Sequence, residues 1–295
     1  MKIAIIGASG FVGRHLHRHL EAGGHRVIGS DVYVPMDLAS RVEICDLTRK
    51  GPDLPSGLDA AVYLAQFPGY REFPDHAGDL FAVNVAGALR AADAARKAGA
   101  QAFIYASTGT VYAPSFSPMS EEDPVRRDQP YALSKVQAEE ALALFDRPAA
   151  CSVRLFGVFG EDQKTMLVPA LAGRIARGDA ITLEPNPHDP DDQDGLRIAL
   201  THVSDVCTVT RQLIERMVAG EQTPSVVNVA NPEAVSVREL ALGIARRLGR
   251  EPVFEVAPRS RPSDYIADIT RLRGLIDHEF MPFADAIERT FPAHA

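Results

Sequence analysis

The chain begins with an uncharged run at residues 3–6, Ile-Ala-Ile-Ile, in which polar and apolar positions do not alternate. A short continuous apolar run closed by glycine reads as a strand buried on both faces. Apolar positions then recur at helical spacing to about Leu20, which predicts an amphipathic helix. Further strands follow at 25–30, 42–45 and 60–65. Residues 80–97 and 131–145 read as helices, the first rich in alanine. Between these helices, residues 103–112 read as a β-rich strand ending in small hydroxyl side chains. Strand and helix alternate to about residue 160, the pattern of a parallel sheet covered on both faces. The pattern then loosens. Proline and aspartate crowd residues 183–195, the chain returns at 200–203, and a helical run covers 205–217. A strand at 226–229 closes the large sheet. Ser236 caps another helix with Glu239 at the capping-box position, and the remainder reads as a smaller lobe.

The turn after the first strand carries Gly7, Gly10 and Gly13. A glycine triplet alone is a weak signal. Between a strand and a helix it lets backbone approach a pyrophosphate, which the free N–H groups of the helix start then attract. The second strand leads into Asp31, whose carboxylate can bond both ribose hydroxyls of adenosine and repel a 2′-phosphate. No arginine or lysine occupies positions 32–34. These features predict a Rossmann-type, doubly wound α/β fold that takes NAD rather than NADP. The dinucleotide-binding domain would comprise residues 1–164 plus about 200–232. A smaller substrate-binding lobe would comprise about 165–199 plus 233–295.

Tyr131 and Lys135 stand four apart in Tyr-Ala-Leu-Ser-Lys, so on a helix they share a face. An ammonium beside a phenol favours the phenolate, and the positive charge of an oxidised nicotinamide would add to this. Such a tyrosine can take a proton from a substrate hydroxyl while hydride leaves the same carbon. Ser107 and Thr108 would lie at the carboxyl end of a strand, where open α/β sheets collect their active sites. Thr108 can bond the oxygen that Tyr131 deprotonates.

Charge and composition narrow the field. The 295 residues carry a net charge of −8 and no basic run, which excludes a nucleic-acid or anionic-membrane surface. No apolar stretch is long enough to span a bilayer, and the N-terminal strand is too short for a signal peptide. Three scattered cysteines, Cys45, Cys151 and Cys207, read as reduced thiols of a cytoplasmic protein. His15, His17 and His19 alternate along one helix, and only His15 and His19 share a face, so a solvated surface is expected and not a metal site. The run 188–194 lacks the spacing of a calcium loop and reads as a surface loop. No metal is expected.

Taken in order along the chain, further stretches join these motifs. They are Asp46-Leu47, Tyr63-Leu64-Ala65, Asn84-Val-Ala-Gly87, Ser107-Thr-Gly-Thr-Val-Tyr112, Arg154-Leu-Phe-Gly-Val-Phe-Gly160, His202-Val-Ser-Asp-Val206 and Asn228-Val-Ala-Asn-Pro232. Over nearly its whole length the chain resembles the extended short-chain dehydrogenase/reductases, the NAD-dependent nucleotide-sugar epimerase/dehydratase group. The resemblance implies a catalytic set of Thr108, Tyr131 and Lys135, with Lys135 also holding the nicotinamide ribose. It implies a cofactor site built from Gly7, Gly10, Phe11, Val12, Gly13, Asp31, Asp46, Leu47, Leu64, Ala65, Gln66, Asn84, Tyr131 and Lys135. It implies substrate contacts from Thr108, Arg197, Arg259 and Arg261, since arginine grips phosphate bidentately, and a homodimer through the helices near 80–97 and 131–145.

Three departures matter. Tyr63 and Gln66 stand where the family commonly has His and Ala. Gly157 stands where many nucleotide-sugar enzymes have Asn. Gly109 and Thr110 replace the Asp-Glu that sugar dehydratases need to expel water, so that mechanism is not expected. The expected activity is NAD-dependent epimerisation of a nucleotide sugar through a transient 4-keto intermediate. The alternative is an NAD(P)-dependent dehydrogenase or ketoreductase acting on a sugar or sugar acid. A dinucleotide-sensing regulator on the same fold would have no need of Tyr131 and Lys135.

Overall fold

The computed structural model describes residues 1–34, 42–189 and 191–292. Strand β1 (Lys2–Ile6) is flanked on one side by β2 (Arg26–Asp31) and then β3 (Val42–Ile44). On its other side come β4 (Ala60–Tyr63), β5 (Ala102–Thr108), β6 (Ala149–Leu155) and β7 (Val226–Val229). All seven are parallel, with Ile3 opposite Val27 on one side and Ile6 opposite Tyr63 on the other. The chain builds outward from β1 through β3, crosses back, and builds the other way from β4. At that reversal, neighbouring loops leave the strand ends in opposite directions and open a crevice, the place where such sheets bind ligands.

Alternating strand residues explain the two helical layers. Ile3, Ile5, Val62 and Ile104 face α1 (Phe11–Ala22) and share a core with its Leu16 and Leu20. Ala4, Ile6, Ala61 and Phe103 face α2 (Ala88–Ala98) and α3 (Pro130–Leu142), packing against Ala91, Ala95, Ala138 and Leu142. The alanines let these helices lie close to the sheet. The first layer is completed by Leu213 and Ile214, in a helix whose place in the chain follows.

A third apolar cluster lies apart from the sheet. It joins α4 (Leu167–Arg177), with Leu171 and Ile175, to α6 (Val237–Leu248), with Leu240 and Ile244. Between these two in sequence runs α5 (Val203–Val218), the helix that carries Leu213 and Ile214 back to the large sheet. Residues Ala180–Leu183 pair in parallel with Val253–Val256, and Arg197–Ala199 pair antiparallel with Ala234–Ser236. Ala267, Ile269 and Leu272 then return to the core of the large sheet.

The parallel Rossmann-type sheet agrees with the sequence pattern, and so does the strand at 226–229. The capping box is formed in full: the Ser236 hydroxyl accepts from the Glu239 N–H at 3.1 Å, and Glu239 Oε2 accepts from the Ser236 N–H at 2.7 Å. Two expectations need correction. The strand expected through residue 112 stops at Thr108, because the Thr108 hydroxyl accepts the Thr110 N–H at 3.2 Å and starts a tight turn over Gly109–Val111. The single helix expected over 80–97 is three pieces: Ala77–Phe81, a π-helical turn Ala82–Gly87, and α2. The wide turn brings Asn84 inward, where it is fully buried.

Candidate active site

The glycine loop is shaped by close approach. Gly7 has φ +93°, and a Cβ there would lie 2.6 Å from the Ala65 nitrogen. A Cβ on Gly13 would overlap the Gly7 carbonyl oxygen. Gly10 differs, for its Cβ would meet only that same oxygen at an ordinary 3.4 Å. The protein itself has room for a side chain at Gly10, so the glycine keeps open the adjoining cavity of about 540 Å³. Gly7, Gly10, Asp31, Asp46, Leu47 and Ala65 line that cavity. Asp31 braces the loop, accepting the Ser9 N–H at 2.9 Å. The Thr48 hydroxyl and N–H, at 2.6 and 3.0 Å, hold the Asp46 carboxyl below the usual carboxylate range. Arg90 pins the Leu47 carbonyl at 2.5 Å. A glycine cradle beside an acid-lined slot fits a dinucleotide, with pyrophosphate at Gly10 and a ribose at Asp31.

A second cavity, about 940 Å³, adjoins the first, and Leu64 and Gln66 line both. Phe11, Val12, Thr108, Tyr131 and Lys135 meet in its wall. Tyr131 and Lys135 arrive on the first turns of α3, and Thr108 from the carboxyl end of β5. The Tyr131 hydroxyl donates to Gln66 Oε1 at 2.9 Å. The Lys135 ammonium donates to the Ala106 carbonyl at 2.8 Å and lies 5.9 Å from the centre of the Tyr131 ring. One expectation therefore needs correction. Lys135 does not depress the Tyr131 phenol here. Burial pushes that phenol above its usual range, and the neighbouring Tyr265 and Tyr70 push the same way. A hydrogen bond from Thr108 and the charge of Arg71 pull the other way without offsetting the burial.

Lys135 is itself strained by its setting. Burial brings its ammonium down from 10.5 to about 7, against the pull of Glu139 one turn further along α3. The unfolded chain therefore binds this proton more tightly than the folded one between those two values. Below pH 7 the ligand-free fold bears the full cost of a buried charge, and that cost fades as pH rises toward 10.5. Lys135→Met should accordingly be more stable than the wild type at pH 6 to 7, with the advantage shrinking toward pH 10. Denaturant midpoints measured across that range check it, and an advantage that does not change with pH would contradict it.

Some expected residues lie elsewhere. Asn84 lines neither cavity. Its amide donates to Ser134 Oγ at 3.0 Å and accepts the Phe67 N–H at 3.2 Å, while Ser134 donates to the Tyr131 carbonyl at 2.8 Å. Asn84 thus props the helix that carries Tyr131. Arg197, Arg259 and Arg261 line neither cavity either. Arg261 is buried between Asp192 and Asp264, and Arg259 is exposed against Glu184 at 2.6 Å. Arg197 is exposed, and its backbone N–H donates to Asp264 at 2.9 Å. The aspartate run expected to be a free surface loop thus supplies a buried ion pair through Asp192.

The departures have physical causes. Gly157 lines the cavity at φ +45°, and a Cβ there would lie 2.5 Å from the Ala199 carbonyl oxygen, so no side chain fits. A Cβ on Gly109 would strike the Phe156 ring at 2.5 Å, which rules out the dehydratase aspartate at that position. Tyr63 points into the core and donates to the Val83 carbonyl at 2.6 Å. Among the cavity residues not anticipated are Tyr70, Arg71 and Tyr265, and Thr110 also lines the cavity. The Tyr265 hydroxyl lies 3.5 Å from that of Thr108, and the Tyr70 ring packs 4.7 Å from the Tyr131 ring. Tyr265 lies four residues after Arg261, so its neighbourhood was legible. Residues 66–76 have no periodicity from which Tyr70 or Arg71 could be placed.

A parallel sheet with a glycine cradle at its switch point, and a Tyr/Lys pair at the adjoining crevice, defines a dinucleotide-dependent oxidoreductase-like site. The chain matches the NAD dependent epimerase/dehydratase family over residues 3–230. It belongs to that family, and NAD is the cofactor that goes with membership. An uncharacterized UDP-glucose epimerase, YtcB, of Bacillus subtilis (strain 168) is 26% identical over 95% of this chain and 93% of its own. The GDP-6-deoxy-D-mannose reductase of Pseudomonas aeruginosa is 31% identical over 81% of this chain and 77% of its own. Among solved structures, the UDP-glucose 4-epimerase of Thermus thermophilus in complex with NAD superposes with a TM-score of 0.76 at 22% identity. That match covers 99% of this chain and 98% of the other.

Proposed function

We propose that the protein epimerises a nucleotide sugar at C4, using NAD that it keeps. The observation that carries this is the meeting of Thr108, Tyr131 and Lys135 in the wall of the larger cavity, with Tyr131 bonded to Gln66, which lines both cavities. NAD, when bound, supplies the acceptor and later the donor of hydride. The residues handle the proton and the orientation. Tyr131 takes the proton of the C4 hydroxyl as C4 becomes a carbonyl, and returns it when C4 is reduced on its other face. Thr108 bonds the same oxygen. Lys135 would hold the nicotinamide ribose, and the positive charge of oxidised NAD would add to the pull toward phenolate that Arg71 exerts on Tyr131. Gln66, which Tyr131 engages at 2.9 Å, parks the phenol until substrate displaces it.

Gly7, Gly10, Gly13, Asp31, Asp46, Leu47, Leu64 and Ala65 hold the adenosine and pyrophosphate in this scheme. Of the three arginines, Arg197 is retained for the substrate diphosphate. Its neighbour Ile198 lines the large cavity, and Arg197 has no carboxylate ion pair among the described residues. A homodimer through the helices near 80–97 and 131–145 is supported by the half-buried Val85 and Leu133, which pack against none of the apolar clusters. Three free buried cysteines support a cytoplasmic setting. Among the described residues no helix is long and apolar enough to cross a membrane.

Acid extraction of the purified protein tests cofactor retention. Stoichiometric NAD released from the protein is expected. A protein that purifies empty and consumes added cofactor would instead be a reductase, the activity of its Pseudomonas aeruginosa relative. Asp31→Ala should raise the Kd for NAD about tenfold and that for NADP much less, because the lost carboxylate bonds the ribose hydroxyl that carries the 2′-phosphate in NADP. Fluorescence titration with both cofactors checks this, and an unchanged ratio of the two affinities would remove Asp31 from the ribose.

A further inference from the structure

The reaction cavity and the cofactor cavity are charged in opposite senses. Asp31 and Asp46 line the smaller one. Among the described residues the larger one is lined by two charged side chains, Lys135 and Arg71, and by no carboxylate. This holds in a chain with 39 acidic and 31 basic residues, so the composition favours the opposite outcome. The neutral lining points the same way. Thr108, Thr110 and Tyr265 present hydroxyls that can donate, while the Tyr131 hydroxyl is spent on the Gln66 carbonyl oxygen and so masks that acceptor. Such a wall solvates an anion.

The two cations differ in availability. Lys135 is buried and donates to the Ala106 carbonyl. Arg71 is exposed, its guanidinium carbon 5.1 Å from the centre of the Tyr70 ring, with no carboxylate partner among the described residues. Without a carboxylate in the protein, its guanidinium is available to one from a ligand, which it matches bidentately. Its position indicates which anion. The Tyr70 ring packs 4.7 Å from the Tyr131 ring, so Arg71 is one aromatic ring away from the reacting phenol, and its charge draws that phenol downward. The diphosphate of a nucleotide sugar hangs from C1, across the ring from C4. The substituents next to C4 are the C3 hydroxyl and C6, carried on C5, and of these C6 is the one that can be a carboxylate.

We propose that the preferred substrate is a nucleotide hexuronic acid, whose C6 carboxylate is received by Arg71 with donors from Thr110 and Tyr265. The proposal rests on the nucleotide-sugar reading above. No further redox step is needed, since the carboxylate is bound and not transformed.

The test compares UDP-glucuronate with UDP-glucose, a pair that differs only at C6, in the wild type with NAD and in Arg71→Gln and Arg71→Lys. The wild type is expected to favour the uronate in kcat/KM by about tenfold or more, the range of a charge-assisted pair. Arg71→Gln is expected to erase most of that ratio, and Arg71→Lys to restore part of it. Arg71 is exposed, so folding is not at stake. A wild type that prefers UDP-glucose overturns the proposal while leaving the epimerase reading intact. Equal losses on both substrates in Arg71→Gln place Arg71 at the diphosphate and overturn it too. Conversion of neither substrate by a wild type that converts another, uncharged nucleotide sugar overturns this proposal alone, and conversion of no nucleotide sugar at all strikes the reading it rests on.

Discussion

Tyr131→Phe is expected to lower turnover about 10³-fold or more while the Kd for NAD stays close to that of the wild type. The removed oxygen is the group that exchanges a proton with the substrate. The ring that lines the cavity, and its packing 4.7 Å from Tyr70, remain. Removing the hydroxyl breaks one hydrogen bond, to the exposed Gln66, so little stability is lost. Substrate turnover and NAD titration, made on the same sample, read the two effects separately. A folded variant that binds NAD poorly would mean that Tyr131 serves the cofactor rather than the proton. A variant with full activity would revive a role that needs no chemistry.

The largest expected effect on stability lies behind the site, at a buried ion pair. Glu139 and Arg154 are 4% and 5% exposed, and Arg154 bonds both Glu139 oxygens, its Nη2 lying 2.6 Å from Oε2. Ser107 donates to the same carboxylate, and the Arg154 guanidinium lies 4.7 Å from the centre of the Tyr112 ring. The pair ties α3, which carries Tyr131 and Lys135, to β5 and β6. Arg154→Leu should cost about 3–5 kcal/mol, because it leaves a carboxylate buried without its cation. Denaturant unfolding gives the value, and a cost below about 1 kcal/mol, the usual worth of an exposed pair, would show that Glu139 is not isolated from water. The double variant Arg154→Leu with Glu139→Leu should recover much of the loss, since removing both charges removes the uncompensated one.

The large sheet was legible because each strand carries its own signal. Residues 3–6 and 60–63 are uncharged throughout, which only burial on both faces permits. The glycine cradle was legible for the same reason: Gly7 and Gly13 answer steric demands that any side chain would violate. Spacing likewise put Tyr131 and Lys135 on one helix turn. Spacing does not say where the ammonium points, and it goes to the Ala106 carbonyl rather than to the phenol. Asn84 is buried away from both cavities because it lies in a π turn, and no local pattern announces that widening. Arg261 was expected at the substrate, yet its partners Asp192 and Asp264 are 69 and 3 residues away. The nearer partner was visible in the sequence. The farther one needed the fold. Arg71 sits in a stretch where neither period holds, so only the three-dimensional arrangement shows it beside the reacting phenol.

The central claim is that the site oxidises C4 and reduces it again without releasing its cofactor. Incubation of the purified protein with a panel of nucleotide sugars, followed at once by NMR of the sugars and by absorbance of NADH, tests it most directly. The account predicts a C4 epimer that grows to equilibrium with no net accumulation of NADH. An oxidised sugar accumulating with NADH, or no change in any nucleotide sugar of the panel, would contradict it.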